Sequence, residues 1–186
     1  MTSKSLGTQI GIVGFSGTKI GNVTVFLERF KEKKGNATIQ LFDAKNIAGP
    51  QHLYFAAVNA LNAFAKKTNI SNNIEVECLL FASTQRQITK AVDLLGLKKS
   101  TSEIAALILA ENESQKNCAI QLVTDLIPGK RDDTILVLTP EKIEHIKNLY
   151  EISELEFEAC YKTEDTDEET LVDLVIERMA LLVTKS

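Results

Sequence analysis

Apolar residues along this chain recur with two periods, and the strongest helical pattern lies between residues 46 and 97. Leu53, Ala57, Ala60, Leu61 and Phe64 trace one stripe of an amphipathic helix entered through Gly49-Pro50, with proline suited to the first turn. Ile88, Ala91, Val92 and Leu95 predict a second, shorter helix. Ser83 or Thr84 is placed to cap its start, and Gly96 suits a left-handed residue that ends it. Residues 72–81, between the two, satisfy two templates. Ile74, Val76, Cys78 and Leu80 alternate with Glu75 and Glu77 as in a half-buried strand, whereas Ile74, Cys78 and Phe81 also fit a helical face.

Residues 9–15 form a short apolar run bounded by turn signals and predict a buried strand. Val23, Phe26, Leu27 and Phe30 predict a helix that Gly35-Asn36 stops, and residues 38–42 return as a strand. The wholly apolar run Ile104 to Ala110 suits the middle of a sheet. Cys118, Ala119, Leu122, Val123 and Leu126 mark a further helix ended by Pro128-Gly129, and residues 134–138 have strand length. Thr139, Pro140 and Glu141 open a helix striped by Ile143, Ile146 and Tyr150. The acidic residues 151–167 receive no firm structure, with Leu155, Phe157, Cys160 and Tyr161 set against the core. Thr166 and Glu169 make a capping box ahead of Leu171, Val175, Met179 and Leu182, and Val172, Ile176 and Val183 widen the apolar arc of this last helix. Strands and helices alternate irregularly, which predicts a single-domain α+β fold: a small mixed sheet packed against several helices, not a strict doubly wound fold.

Composition narrows the function. A chain of 186 residues suits one domain, and a net charge of −4 argues against coating nucleic acid, DNA included, by bulk electrostatics while leaving room for a local basic pocket. No apolar run approaches the ~20 residues that cross a bilayer, and no secretory signal opens the chain, so the expectation is a cytoplasmic protein with no membrane role. Cys78, Cys118 and Cys160 are too widely spaced for a zinc knuckle and read as small apolar residues. Lysines cluster near predicted helix ends, as solvated surface does. Gly11, Gly14, Gly17 and Gly21 crowd the first turn around Lys19, yet neither GxGxxG nor GxxxxGK[ST] is met, so turn and packing roles come before nucleotide binding. His52 and His145 lie on different helices, Glu75 and Glu77 form no evident acid–base pair, and no hydrolase, kinase or metal motif is present. No catalytic residue, metal or cofactor is predicted, and the sequence points to binding. Its best candidate is the polar turn Ser83 to Gln87 at a helix mouth, where unpaired N–H groups, the positive dipole end and the planar fork of Arg86 favour a phosphate or carboxylate.

The segments DAKNIAGPQHLYFAAVNALNAF and LLFASTQRQITKAVDLLGL, followed by an apolar strand and LVIERMALL, resemble the small tRNA-binding subunit of the KEOPS (EKC) complex, the family whose human member is called PRPK-binding protein. The resemblance covers nearly the whole chain in order, and IAGxxHL and ASxxRQI are its most specific parts. It implies that residues 72–81 are helical. It also implies a non-enzymatic subunit of the machinery that makes threonylcarbamoyladenosine in tRNA. In that family the subunit docks on the N-terminal lobe of a small atypical kinase or ATPase subunit and promotes its activity, and archaeal members hold the single-stranded 3′ CCA tail of tRNA. On this resemblance Arg86 pairs with a phosphate, Gln87 reads a base edge, and His52 with Lys45 completes the pocket. Kinase docking falls to Leu171, Val175, Ile176 and Met179, where the apolar arc exceeds one core face. Two other readings stay open: a kinase-activating scaffold without RNA binding, and a nucleotide-binding enzyme built on the Gly11 to Gly21 turn.

Overall fold

A computed structural model describes residues 7–160 and 166–184, the last two by backbone only. In chain order the elements are β1 (Gln9–Ser16), α1 (Val23–Lys34), β2 (Thr38–Asp43), a 3-10 turn (Ala44–Asn46), α2 (Gly49–Lys66), α3 (Ile74–Ser83) and α4 (Ile88–Leu95). There follow β3 (Ile104–Ala110), α5 (Glu113–Leu126), β4 (Lys130–Arg131), a second 3-10 turn (Asp133–Leu136), α6 (Pro140–Leu149), α7 (Glu154–Cys160) and α8 (Asp167–Thr184).

The strands order β2-β3-β1-β4, and every pairing is antiparallel. The α+β class holds, with the predicted mixed sheet corrected to an antiparallel one among the described strands. Helices cover both of its faces. Ala105 and Leu107 of β3 enter the larger core under α2, α3, α4, α6, α7 and α8, while Ile104, Ala106 and Ile108 enter a smaller one with α1 and α5. The strand is apolar at successive positions because neither face meets water.

Of the ambiguous residues 72–81, those from Ile74 onward are helical and belong to α3. Asn73 caps α3, its side chain accepting from the N–H groups of Glu75 and Val76 at 2.8 and 3.0 Å. From Glu77 to Ser83 every residue is buried, and α3 packs on α2, α4, α8 and β2. A helix enclosed on all sides loses its one-sided stripe, which is why periodicity alone could not tell it from a strand. Ser83 and Thr84 therefore belong to α3: Ser83 is its last residue, and Thr84 ends it in the left-handed region at φ 56°. The residue preceding α4 is Gln87, which supplies no side-chain cap. Gly96 is extended at φ −71°, not left-handed, and a Cβ there would meet the Val92 carbonyl oxygen at 2.5 Å.

Residues 134–138 form no strand. Asp132 accepts from the Thr134 N–H at 3.1 Å and starts the second 3-10 turn; Leu136 at its end and Leu138 just beyond it reach the core without pairing to a neighbour strand. The acidic stretch contains α7, which buries Phe157 but leaves Leu155 78% exposed. Cys118 and Cys160 are exposed, so of the three cysteines only Cys78 behaves as a core residue. Tyr161 and the side chain of Val183 lie outside the described residues.

The capping box forms reciprocally: the Thr166 N–H donates to Glu169 Oε2 at 2.9 Å and the Glu169 N–H to Thr166 Oγ1 at 3.3 Å. Thr166→Ala is expected to cost about 1 kcal/mol, seen as a lower urea midpoint with an unchanged slope.

The wide arc of α8 has a tertiary cause. Four helices, α2, α3, α6 and α7, pack around it. Leu171, Val175 and Met179 are fully buried, and Ile176 is half-buried. Leu171, Val175 and Met179 therefore serve the core, which corrects their assignment to a partner surface. In the first turn, Gly14 is a packing glycine: its N–H donates to Asp133 Oδ1 at 2.8 Å, and a Cβ would meet the Asp132 carbonyl oxygen at 2.6 Å. No helix among the described residues is long and apolar enough to cross a membrane.

Candidate functional site

His52 sits in the first turn of α2 and is fully buried. The Ala48 N–H donates to its Nδ1 at 2.9 Å, so Nε2 carries the proton and donates to the Ala82 carbonyl at 2.9 Å. Tyr150, at the end of α6, donates its hydroxyl to the same carbonyl at 3.0 Å and meets the imidazole edge-on, with ring centroids 5.8 Å apart. Burial pushes the His52 pKa down to about 4, against which the Ala82 hydrogen bond is too small a counterweight. Both ring nitrogens are used and no atom reaches solvent, so the RNA contact assigned to His52 is corrected to a structural role. The imidazole ties the α2 entrance to the C-terminal end of α3, directly beneath the turn that carries Arg86.

Arg86 and Gln87 stand together on that turn and are both exposed. Arg86 Nη1 donates to the Leu182 carbonyl at 3.1 Å, so the guanidinium also caps the end of α8, where the dipole favours a cation. With no side-chain cap from Gln87, the first turn of α4 keeps the anion-favouring character read from the sequence. Exposed Lys45 lies in the first 3-10 turn, at the other end of α4, where Asn46 Nδ2 donates to the Leu94 carbonyl at 2.7 Å. The four predicted residues thus separate into an exposed pair, a lysine at the far end of a helix of eight residues, and a core histidine.

Lys45 instead lines a 510 Å³ cleft with Glu103, Asp132, Glu141, Lys142 and His145, at the end of the sheet where β1 stops. A larger cleft of 580 Å³ opens at the opposite end of the sheet, lined by Thr38, Leu61, Leu109, Cys118 and others, and it takes in none of the predicted site residues. Ionisable chemistry is concentrated in the smaller one. Sequence reading missed this grouping because its members come from four separate segments; the i, i+3 spacing of Lys142 and His145 on α6 was its one local sign. Among the described residues no cluster of His, Cys, Asp and Glu is suited to a metal ion.

These features describe an α+β domain: an antiparallel sheet covered by helices on both faces, with an exposed basic and amide pair at one helix mouth. Residues 18–182 match the family model described as kinase binding protein CGI-121, and the chain belongs to that family. It is similar to the regulatory protein Cgi121 of Methanocaldococcus jannaschii, with 27% identity over 113 residues, covering 61% of this chain and 70% of the relative. The resemblance drawn from IAGxxHL and ASxxRQI pointed to this same family. The family is described as kinase-binding, and the archaeal relative is named as a regulatory protein.

Proposed function

We propose that this chain is the non-catalytic, cytoplasmic small subunit of a KEOPS complex, binding and promoting its atypical kinase or ATPase subunit and recruiting tRNA through the 3′ CCA tail. The observation that carries the RNA half is the exposed Arg86-Gln87 pair at the mouth of α4, supported by the family match. A single-stranded tail needs a few phosphate and base-edge contacts and no broad basic face, which an acidic chain can provide from one turn. Arg86 meets a phosphate, Gln87 a base edge, and Lys45 a backbone phosphate further along the strand. With Leu171, Val175 and Met179 in the core, kinase docking falls to exposed apolar surface, of which the Tyr54 and Phe55 pair on α2 has the aromatic character interfaces favour.

The test is a filter-binding titration at fixed salt, comparing intact tRNA with tRNA lacking its terminal CCA, for the wild type and Arg86→Ala. Removing CCA is expected to weaken wild-type binding about tenfold, and Arg86→Ala to reproduce that loss, each consistent with ~1–3 kcal/mol of lost contact. Equal weak binding of both RNAs, with kinase capture undiminished by Arg86→Ala, would leave a scaffold without RNA binding.

A further inference from the structure

The smaller cleft contains a pairing that neither RNA nor kinase recognition uses. Lys142 and His145 stand one turn apart on α6 and both line it. The Lys142 Nζ donates to the Ile135 carbonyl at 2.8 Å, which holds the amine at the cleft wall. The imidazole is oriented by a relay. Asn46 Nδ2 donates to the Leu94 carbonyl at 2.7 Å, which turns Asn46 Oδ1 toward His145 Nε2 at 2.7 Å. An amide oxygen only accepts, so Nε2 carries the proton and Nδ1 keeps its lone pair.

Charged groups approach from every side. Asp43 and Lys45 come from the end of β2 and the turn after it, Glu103 from the approach to β3, Asp132 from the cap of the second 3-10 turn and Glu141 from α6 itself. Burial outweighs the attraction of Glu103 and Asp43 and brings the Lys142 pKa down to about 8. Burial, then Lys45, holds His145 below the ordinary histidine value. At neutral pH the imidazole is therefore a neutral base, and the amine is deprotonated far more often than a surface lysine. Three carboxylates and two lysines line the cleft, so a small neutral reagent meets no like charge there.

We propose that Lys142 is a reactive amine that condenses reversibly with small neutral aldehydes, with His145 Nδ1 as its proton acceptor. The ammonium gives up a proton, and the Nζ lone pair attacks the carbonyl carbon to form a C–N bond. The carbonyl oxygen then leaves as water with two protons, so ammonium and aldehyde become a protonated imine and one water.

The full chain is treated at pH 7 with propionaldehyde and sodium cyanoborohydride, which traps the imine, and alkylation of each lysine is followed by peptide mass spectrometry. Lys142 is expected to be alkylated about tenfold or more faster than exposed lysines such as Lys99, with its rate rising through about pH 8. Lys142→Arg removes the early label. His145→Gln slows Lys142 severalfold and leaves the exposed lysines unchanged, a result that simple burial of the amine would not produce. Alkylation spread evenly over the lysines would overturn the proposal, and an unchanged Lys142 rate in His145→Gln would remove the histidine from it.

Discussion

Glu77→Ala is expected to cost about 3 kcal/mol of folding stability, the largest loss among the polar substitutions considered. Glu77 is fully buried on α3 and turned away from solvent. Its Oε1 accepts from the Ile70 N–H at 3.0 Å, and its Oε2 from the N–H groups of Ile70 and Ser71 at 3.1 and 2.7 Å. The carboxylate thus satisfies two successive backbone donors in the connection between α2 and α3 and fixes where α3 begins. Alanine removes both acceptors and leaves a cavity under the loop. Glu77→Gln keeps one acceptor oxygen and the side-chain volume, so its cost is expected to be about half as large. Urea denaturation of the two variants beside the wild type measures this; equal midpoints for Glu77→Ala and wild type would show that the loop does not depend on the carboxylate.

The second large effect is on acid stability. His52 is neutral in the folded protein, with its pKa lowered from 6.5 to about 4. Between those values the unfolded chain binds a proton that the folded chain does not, so stability rises with pH across the window and is fully present above about pH 6.5. Acidification to pH 4 is expected to remove about 3 kcal/mol through this group alone. The check is a proton NMR titration of the His52 ring together with denaturation curves from pH 7 to 4. His52→Gln should flatten the part of the slope centred in that window, while carboxylates contribute mainly below it. A His52 resonance titrating near its ordinary value in the folded protein would mean that the imidazole is solvated and that the Ala82 and Tyr150 contacts do not hold.

Much of the fold was legible in residue order because the governing interactions are local. Pro140 follows the Thr139 cap, Thr166 and Glu169 cap each other, and Pro50 opens α2, all within four residues. Ile104 to Ala110 announced a central strand because only a strand covered on both faces is apolar at each successive position. Where a local pattern had two solutions, packing chose between them: α3 is helical because α2, α4, α8 and β2 surround it and Asn73 caps it.

The candidate site was only half legible. Arg86 and Gln87 lie on an exposed turn next to a helix they flank, a placement that sequence order is enough to specify. His52 looked equally available in the first turn of α2, but its burial depends on Ala82 and Tyr150, thirty and ninety-eight positions away. The apolar arc of α8 gave the same false signal, since a stripe wide enough for a partner is also wide enough for four neighbouring helices.

Sequence alone therefore determined most of the helices, the central strand, the caps at Thr139 and Thr166 and the exposed basic turn, because each rests on residues within one or two helical turns of each other, and two short segments of the chain were enough to point to the family. Tertiary structure alone decided which helix faces meet water, which histidine is silent, and that Lys45, Glu103, Asp132, Lys142 and His145 share one cleft. Burial and long-range hydrogen bonding depend on what packs against a side chain, and no periodicity along the chain specifies that partner.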